Sequence, residues 1–148
     1  MAVAEQQVHF RWPVRVYWED TDAGGVVFYA NYLKFFERAR TEWLRSLGPA
    51  QETLRRSGQG MFVVSETRMR YLRPARLDDE LIVTVRLAEA GRASLSVAQQ
   101  CWCAGTLLVE GDIRIGWVQS QPDGALRPAR MPAEILAALP VYTDTAQS

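Results

Sequence analysis

The stretch VYWEDTDAGGVVFYANY, Val16 to Tyr32, sets the acids Glu19, Asp20 and Asp22 and the glycines Gly24 and Gly25 directly ahead of an apolar run. A carboxylate beside glycine-opened backbone can attack a carbonyl carbon as a nucleophile, or take a proton from water as a general base. Acid and glycine also build turns for conformational reasons alone, so from these residues alone Asp22 reads first as an Asx-turn or helix-capping residue before Gly24. Both glycines let the chain reverse tightly, and their missing side chains leave room for a ligand against the backbone. The only histidine, His9, lies in the N-terminal arm and reads as a surface residue, so a serine–histidine–aspartate arrangement has no support and carboxylate chemistry is the economical option. Asn31 reads first as a helix cap and second as a group that orients a carbonyl. Glu37 is a further acid candidate, but Arg38 and Arg40 beside it suggest ion pairing and rank it behind Asp22.

These residues need elements to hold them. Arg11 to Trp18 alternates as a strand, with Pro13 placing it at an edge or a strand start. A helix follows from about Asn31 to Leu47, in which Tyr32, Phe35, Phe36, Ala39, Trp43 and Leu47 form an apolar stripe that Gly48-Pro49 terminates. A weaker helical or irregular piece covers residues 50–57. The texture then changes to four strands, MFVVSETRMRYL, ELIVTVRLAEA, ASLSVAQQCWCA and TLLVEGDIRIGWVQ, whose short connections predict an antiparallel meander. A Pro-Asp-Gly turn and a short helix in PAEILAALP close the chain. The fold class is α+β: one domain over residues 1–148, with a core at about 10–120, a C-terminal turn and short helix at 121–148, and a sheet wrapping the aromatic helix.

Composition narrows the function. The 17 Lys plus Arg balance the 17 Asp plus Glu, so no global positive field draws the chain to nucleic acid. No apolar run is long enough to span a bilayer, and MAVAEQQVHFRWP lacks the basic start and apolar centre of a signal peptide, so a cytoplasmic location is expected. Cys101 and Cys103 share one strand face in awkward geometry for a bridge and read as two buried, reduced thiols. Two cysteines and one remote histidine are too few ligands for a metal site, so none is expected.

With these elements in order, the sequence resembles the hotdog fold and, within it, the 4-hydroxybenzoyl-CoA thioesterase family. FRWPVRVYWEDTDAGGVVFYANYLKFFERARTEWLR and RYLRPARLDDELIVTV resemble more narrowly the YbgC-type acyl-CoA thioesterases associated with the Tol-Pal envelope system. The likeness runs from about Phe10 to about Val118.

The resemblance implies hydrolysis of an acyl thioester without metal or cofactor, coenzyme A being part of the substrate, at a site shared in a homodimer or a tetramer of two dimers. It puts the essential carboxylate on Asp22, a turn-supporting role on Asp20, and the oxyanion-stabilising backbone amide on Tyr29. Free amides and the helix dipole at a helix start favour that charge. Tyr29 stands where YbgC-type sequences commonly carry histidine, and Trp18, read as a packed strand aromatic, where they often carry tyrosine. Val26, Phe28 and Phe62 are expected to line the acyl tunnel. Arg73, Arg76, Arg92 and Ser94 are candidates to meet the coenzyme A phosphates, though each is also an ordinary solvated side chain. A second reading is a weakly catalytic hotdog module that binds acyl carrier protein or lipid-synthesis partners as a scaffold.

Overall fold

The computed structural model describes residues 8–48 and 60–140, so the expected helical piece at 50–57 lies outside the described residues. Strand β1 (Phe10–Arg15) is followed by a 3-10 turn at Trp18–Asp20 and a second at Tyr29–Asn31, which runs into helix α1 (Tyr32–Ser46). Then come β2 (Gly60–Tyr71), β3 (Glu80–Ala90), β4 (Ser94–Cys103), β5 (Thr106–Ser120), the short β6 (Leu126–Pro128) and helix α2 (Ala133–Ala138). All strand pairs are antiparallel in one sheet of order β1-β3-β4-β5-β2, with β6 on β5. A helix packed against such a sheet is the hotdog arrangement.

Two expectations change. The first strand stops at Arg15, because Asp20 Oδ2 accepts the Tyr17 N–H at 2.8 Å and curls the chain into a turn. Trp18 is therefore no packed strand aromatic: it rides on that turn and is 77% exposed. The meander holds for β3, β4 and β5, but β2 crosses to the far edge and pairs with β5. Residues 72–79 link β2 to β3, and a link this long does not form a tight hairpin. Extended, it spans about 25 Å, enough to cross three strand spacings of about 4.8 Å.

The helix stripe behaves as its period dictates. Phe35, Phe36, Ala39 and Trp43 are buried against Leu81, Val83, Val85, Leu95, Val97, Ile113 and Trp117 on the facing strands. Each large side chain taken fully from water contributes about 2–3 kcal/mol before the entropy of ordering is subtracted. Met131 and Ile135, from the segment after β6 and from α2, also join this core. No helix among the described residues is long and apolar enough to cross a membrane.

Both thiols are free. Burial pushes the Cys101 thiol up to about 12, whereas Cys103 is only half-buried and is raised by burial and by neighbouring Asp79.

His9 has a structural task at the start of β1. Its N–H donates to Val85 O at 2.9 Å, and its Nδ1 accepts the Leu87 N–H at 3.0 Å. Accepting requires the neutral ring, and desolvation followed by Arg86 lowers its pKa below 6.5. Because the folded pKa lies below the unfolded one, this contribution is full above pH 6.5 and is lost as pH falls through the folded value. The gap in Tm between wild type and His9→Ala is therefore expected to be wide at neutral pH and to narrow on acidification, as read by thermal unfolding across that window. A gap that stays constant contradicts the assignment.

Candidate active site

Asp22 sits at the mouth of a tight reversal. Its N–H donates to Val26 O at 2.9 Å, Gly25 N–H returns to Asp22 O at 3.0 Å, and Thr21 bridges Val27. Gly25 makes the reversal at φ +79°, a conformation costly for any residue with a Cβ. The carboxylate is oriented from the backbone side: Oδ1 accepts Gly24 N–H at 2.8 Å and Val26 N–H at 3.4 Å. A Cβ on Gly24 would stand 3.3 Å from that oxygen. Oδ2 accepts from no donor among the described residues, and Asp22 is exposed. The Asx-turn reading and the chemical reading thus apply to different oxygens of one residue.

The reversal leads straight to the helix entrance. Phe28 N–H donates to Asp20 O at 3.1 Å, and Tyr29 opens the 3-10 turn that precedes α1. As first residue of that turn, Tyr29 has an N–H with no intrahelical acceptor. One short antiparallel ladder, 20–22 against 26–28, therefore carries the carboxylate at one end and, just beyond the other, an amide with no acceptor among the described residues.

Asn31 does not cap the helix, contrary to the first expectation. It makes no side-chain cap bond; instead its Nδ2 donates to Asp20 Oδ1 at 2.8 Å, and both residues are buried. Asp20 Oδ2 is already bonded to Tyr17 N–H, so this acid joins β1, the turn and the helix entrance. Asn31→Ala is expected to lower stability by about 1–3 kcal/mol, because it leaves a buried carboxylate oxygen unpaired. The expected readout is a fall in Tm together with a lower kcat as the amide and the turn lose their common anchor. An unchanged kcat in the folded variant speaks against that coupling.

Around this point stand exposed aromatics. Tyr17, Trp18, Phe28 and Tyr29 are 60%, 77%, 50% and 63% exposed. Tyr29 meets the Tyr71 ring edge-on at 6.1 Å, and Tyr71 lies 5.7 Å from buried Tyr32. Val27, Tyr29, Tyr32, Tyr71, Leu72, Arg73 and Pro74 line an open cavity of about 260 Å³. Burial raises the pKa of Tyr32 and Tyr71, which keeps both phenols protonated and unfit as bases.

The other candidates divide by place. Arg76 bridges Val26 and Leu77 N–H donates to Gly25 O, so Arg76 flanks the Asp22 turn, while Arg73 lines the aromatic cavity beyond it. Val26 is half-buried and Phe28 exposed in the same turn. Arg92 and Ser94 sit at the β3–β4 connection, the opposite end of β3 from the segment that contacts the turn, and are not brought to Asp22 within the chain. There Arg92 O accepts Met131 N–H, and Ser94 Oγ accepts from Arg114 at 3.4 Å. Phe62 packs on Trp117 at 5.1 Å and lines a separate groove beside the middle of α1.

Glu37 forms no ion pair with Arg38 or Arg40 among the described residues, contrary to expectation. Arg40 is itself a feature that charge patterning hides: it is 8% exposed and donates to Gln99 Oε1 at 2.9 Å. Its place four residues after Phe36 and three before Trp43 puts it on the apolar stripe, a signal the spacing carries. Among the described residues no group of three or more His, Cys, Asp or Glu gathers to hold a metal ion.

Comparison with known proteins bears on the family of the chain. The thioesterase superfamily model matches residues 24–110, beginning two positions after Asp22. The acyl-CoA thioesterase YbgC of Haemophilus influenzae is 42% identical over 129 residues, 87% of this chain and 93% of its own. An acyl-CoA thioester hydrolase YbgC of Escherichia coli O157:H7 is also 42% identical, over 86% of this chain and 93% of its own. Among solved structures, a probable thioesterase from Bartonella henselae is 31% identical with a TM-score of 0.70, covering 84% of this chain and 99% of that one. The 4-hydroxybenzoyl CoA thioesterase from Pseudomonas sp. strain CBS-3, at 20% identity and a TM-score of 0.78 over 87% of this chain and 97% of that one, shares the fold. With a family model matching more than half of its residues and relatives aligned over most of their own length, the chain belongs to the thioesterase superfamily.

Proposed function

We propose that the protein hydrolyses acyl-CoA thioesters to the free acid and coenzyme A, with Asp22 as the catalytic carboxylate and the Tyr29 N–H as oxyanion donor. The observation that carries this is the divided Asp22 carboxylate: one oxygen is held by two backbone amides and the other accepts from no donor among the described residues, in a turn whose short ladder runs directly into the helix entrance at Tyr29. Asp22 attacks the thioester carbonyl directly or activates the water that does, and the amide stabilises the charge that develops on the carbonyl oxygen. No cofactor takes part in this chemistry. The relatives named for acyl-CoA hydrolysis support the substrate class.

Gly24, Gly25, Val26 and Phe28 border the approach to the carbonyl, and the Tyr29–Tyr71 cavity receives the start of the acyl chain. Asn31 acts through Asp20 as a positioning residue. Arg73 and Arg76 face the coenzyme A phosphates; Arg92 and Ser94 reach them only from a second protomer. We place that protomer on β2, a twelve-residue edge strand with exposed Met61, Val64 and Tyr71 whose backbone needs a partner. The reaction then takes place in a cytoplasmic homodimer or tetramer, linked through the YbgC-type resemblance to the Tol-Pal system.

The test is release of free thiol from a panel of acyl-CoAs of increasing chain length, with acyl carrier protein thioesters alongside. Hydrolysis of at least one chain length well above background is expected, and its absence across the panel overturns the proposal.

A further inference from the structure

The link between β2 and β3 does more than cross the sheet, because residues 75–79 are bonded along the Asp22 turn. Val27 N–H donates to Ala75 O at 2.9 Å, Val26 bridges Arg76, and Leu77 N–H donates to Gly25 O at 3.2 Å. Further on, Asp78 N–H donates to Val16 O at 3.0 Å and Val16 N–H to Asp79 O at 2.9 Å, so the same segment holds the chain just past β1. It is also tied to itself, since Asp79 Oδ2 accepts the Arg76 N–H at 2.9 Å. Residues 75–79 are thus a bracket behind the turn.

Among the described residues one hydrogen bond joins this bracket to α1: the Tyr32 hydroxyl accepts the Ala75 N–H at 3.0 Å. Tyr32 is 2% exposed and Ala75 wholly buried, so without the hydroxyl the Ala75 N–H is left unpaired away from water. The Tyr32 ring faces the other half of the site. It lies 5.7 Å from Tyr71, which meets Tyr29 edge-on, and packs on Phe35 at 5.9 Å. Phenylalanine would serve the apolar stripe and these ring contacts equally well; what it lacks is the oxygen that reaches the bracket. Because Tyr32 is the first residue of α1, that oxygen sets the helix entrance, where the Tyr29 N–H lies, against the segment that holds the Asp22 turn.

We propose that Tyr32 is a positioning residue for the hydrolysis: its hydroxyl fixes Ala75, Ala75 fixes Val27, and the ladder through Val27 and Thr21 thereby keeps the Asp22 carboxylate in place relative to the Tyr29 N–H. This rests on the roles given to Asp22 and Tyr29 above. The hydroxyl acts through Ala75 and not on the reacting atoms. Misplacing a reacting group by about 1 Å costs up to about 10²-fold in rate, and losing one tie out of several falls below that limit.

Tyr32→Phe is the test, assayed beside wild type, Asp22→Asn and Ile113→Val on the best acyl-CoA. Its kcat is expected to be lower by about 5–20-fold with KM within about twofold of wild type. Ile113→Val, a core change on β5 that leaves the Ala75 bond in place, is expected to lower Tm but not kcat, so lost stability alone does not mimic the effect. Hydrogen exchange gives a readout without substrate: relative to the β4–β5 ladder, the Val27 amide should exchange about tenfold faster or more in Tyr32→Phe. A wild-type kcat in Tyr32→Phe beside an inactive Asp22→Asn overturns this proposal and leaves the hydrolysis reading standing. Unchanged Val27 exchange overturns it as well. A wild type that hydrolyses no acyl-CoA overturns the earlier reading and this one with it. Should Tyr32→Phe not fold, the wild-type Ala75 amide decides: it should be as protected from exchange as the β4–β5 ladder, and rapid exchange there overturns the proposal.

Discussion

Asp22→Asn is expected to fold as the wild type does and to lose about 10²–10⁴-fold in kcat on its best acyl-CoA, the range set by removing a positioned general base or nucleophile. The fold survives because the amide keeps one carbonyl oxygen, which can still accept the Gly24 and Val26 N–H bonds that shape the turn. What disappears is the second, open oxygen and the negative charge with it. An unchanged KM beside the collapsed kcat would place the loss in the transition state rather than in binding. A rate within a few fold of wild type, with intact folding by circular dichroism, would remove Asp22 from the mechanism. One isotope outcome is diagnostic: after a single turnover in H₂¹⁸O, label in the Asp22 carboxylate requires an anhydride, because water activated by Asp22 labels only the product acid. If Asp22 forms an anhydride, the label enters the enzyme carboxylate or the acid according to which carbonyl the water attacks.

Gly111→Val carries the largest expected cost to stability. Gly111 sits on β5 under α1, and a Cβ there would stand 2.6 Å from Met69 Sδ, 2.9 Å from Phe36 Cε2 and 3.2 Å from the backbone Arg68 O. The thioether can swing aside, but the Phe36 ring is wholly buried and the Arg68 carbonyl belongs to the β2–β5 ladder. Neither moves without disturbing the stripe that holds helix to sheet. A loss of about 3 kcal/mol follows from such overpacking, which for a chain of this size lowers Tm by about 6–12 °C. Thermal unfolding measures it, and a Met69→Ala second change should restore part of the loss to Gly111→Ala by clearing the nearest contact. A Gly111→Val protein as stable as wild type would mean that the helix sits further from β5 than the structure places it.

Much of this architecture is written locally. The α1 stripe is readable because three- and four-residue steps put Phe35, Phe36, Ala39 and Trp43 on one face, and β2 to β5 are readable as strands because alternation and turn residues bound them. Which strands become neighbours is not local: β2 reads as a strand as β4 does, yet only the length of the 72–79 link betrays that it crosses the sheet. Trp18 misleads because Asp20, two residues on, ends the strand through a side-chain bond that periodicity cannot register. Asn31 misleads because its type suits a cap equally well, and only the folded turn shows Asp20 waiting for it. The acid-glycine turn stood out in the sequence, while Arg40 was hidden by looking like one more charge on a helix rich in them.

The pairing of β1 with β3 has a consequence for when the site comes into being. Phe10 pairs with Val85 and Arg15 with Glu80, so this ladder closes a loop containing α1 and β2, whereas β3, β4 and β5 join through neighbouring hairpins. Loop closure over such a span is slow relative to hairpin formation. The Asp22 turn hangs between β1 and α1, tied to both by Asp20, and is braced from the far side of that loop, where Val27 N–H donates to Ala75 O and Leu77 N–H to Gly25 O. A chain emerging from the ribosome presents the Asp22 turn before it presents residues 75–77, so the residues of the site are translated ahead of the segment that braces them.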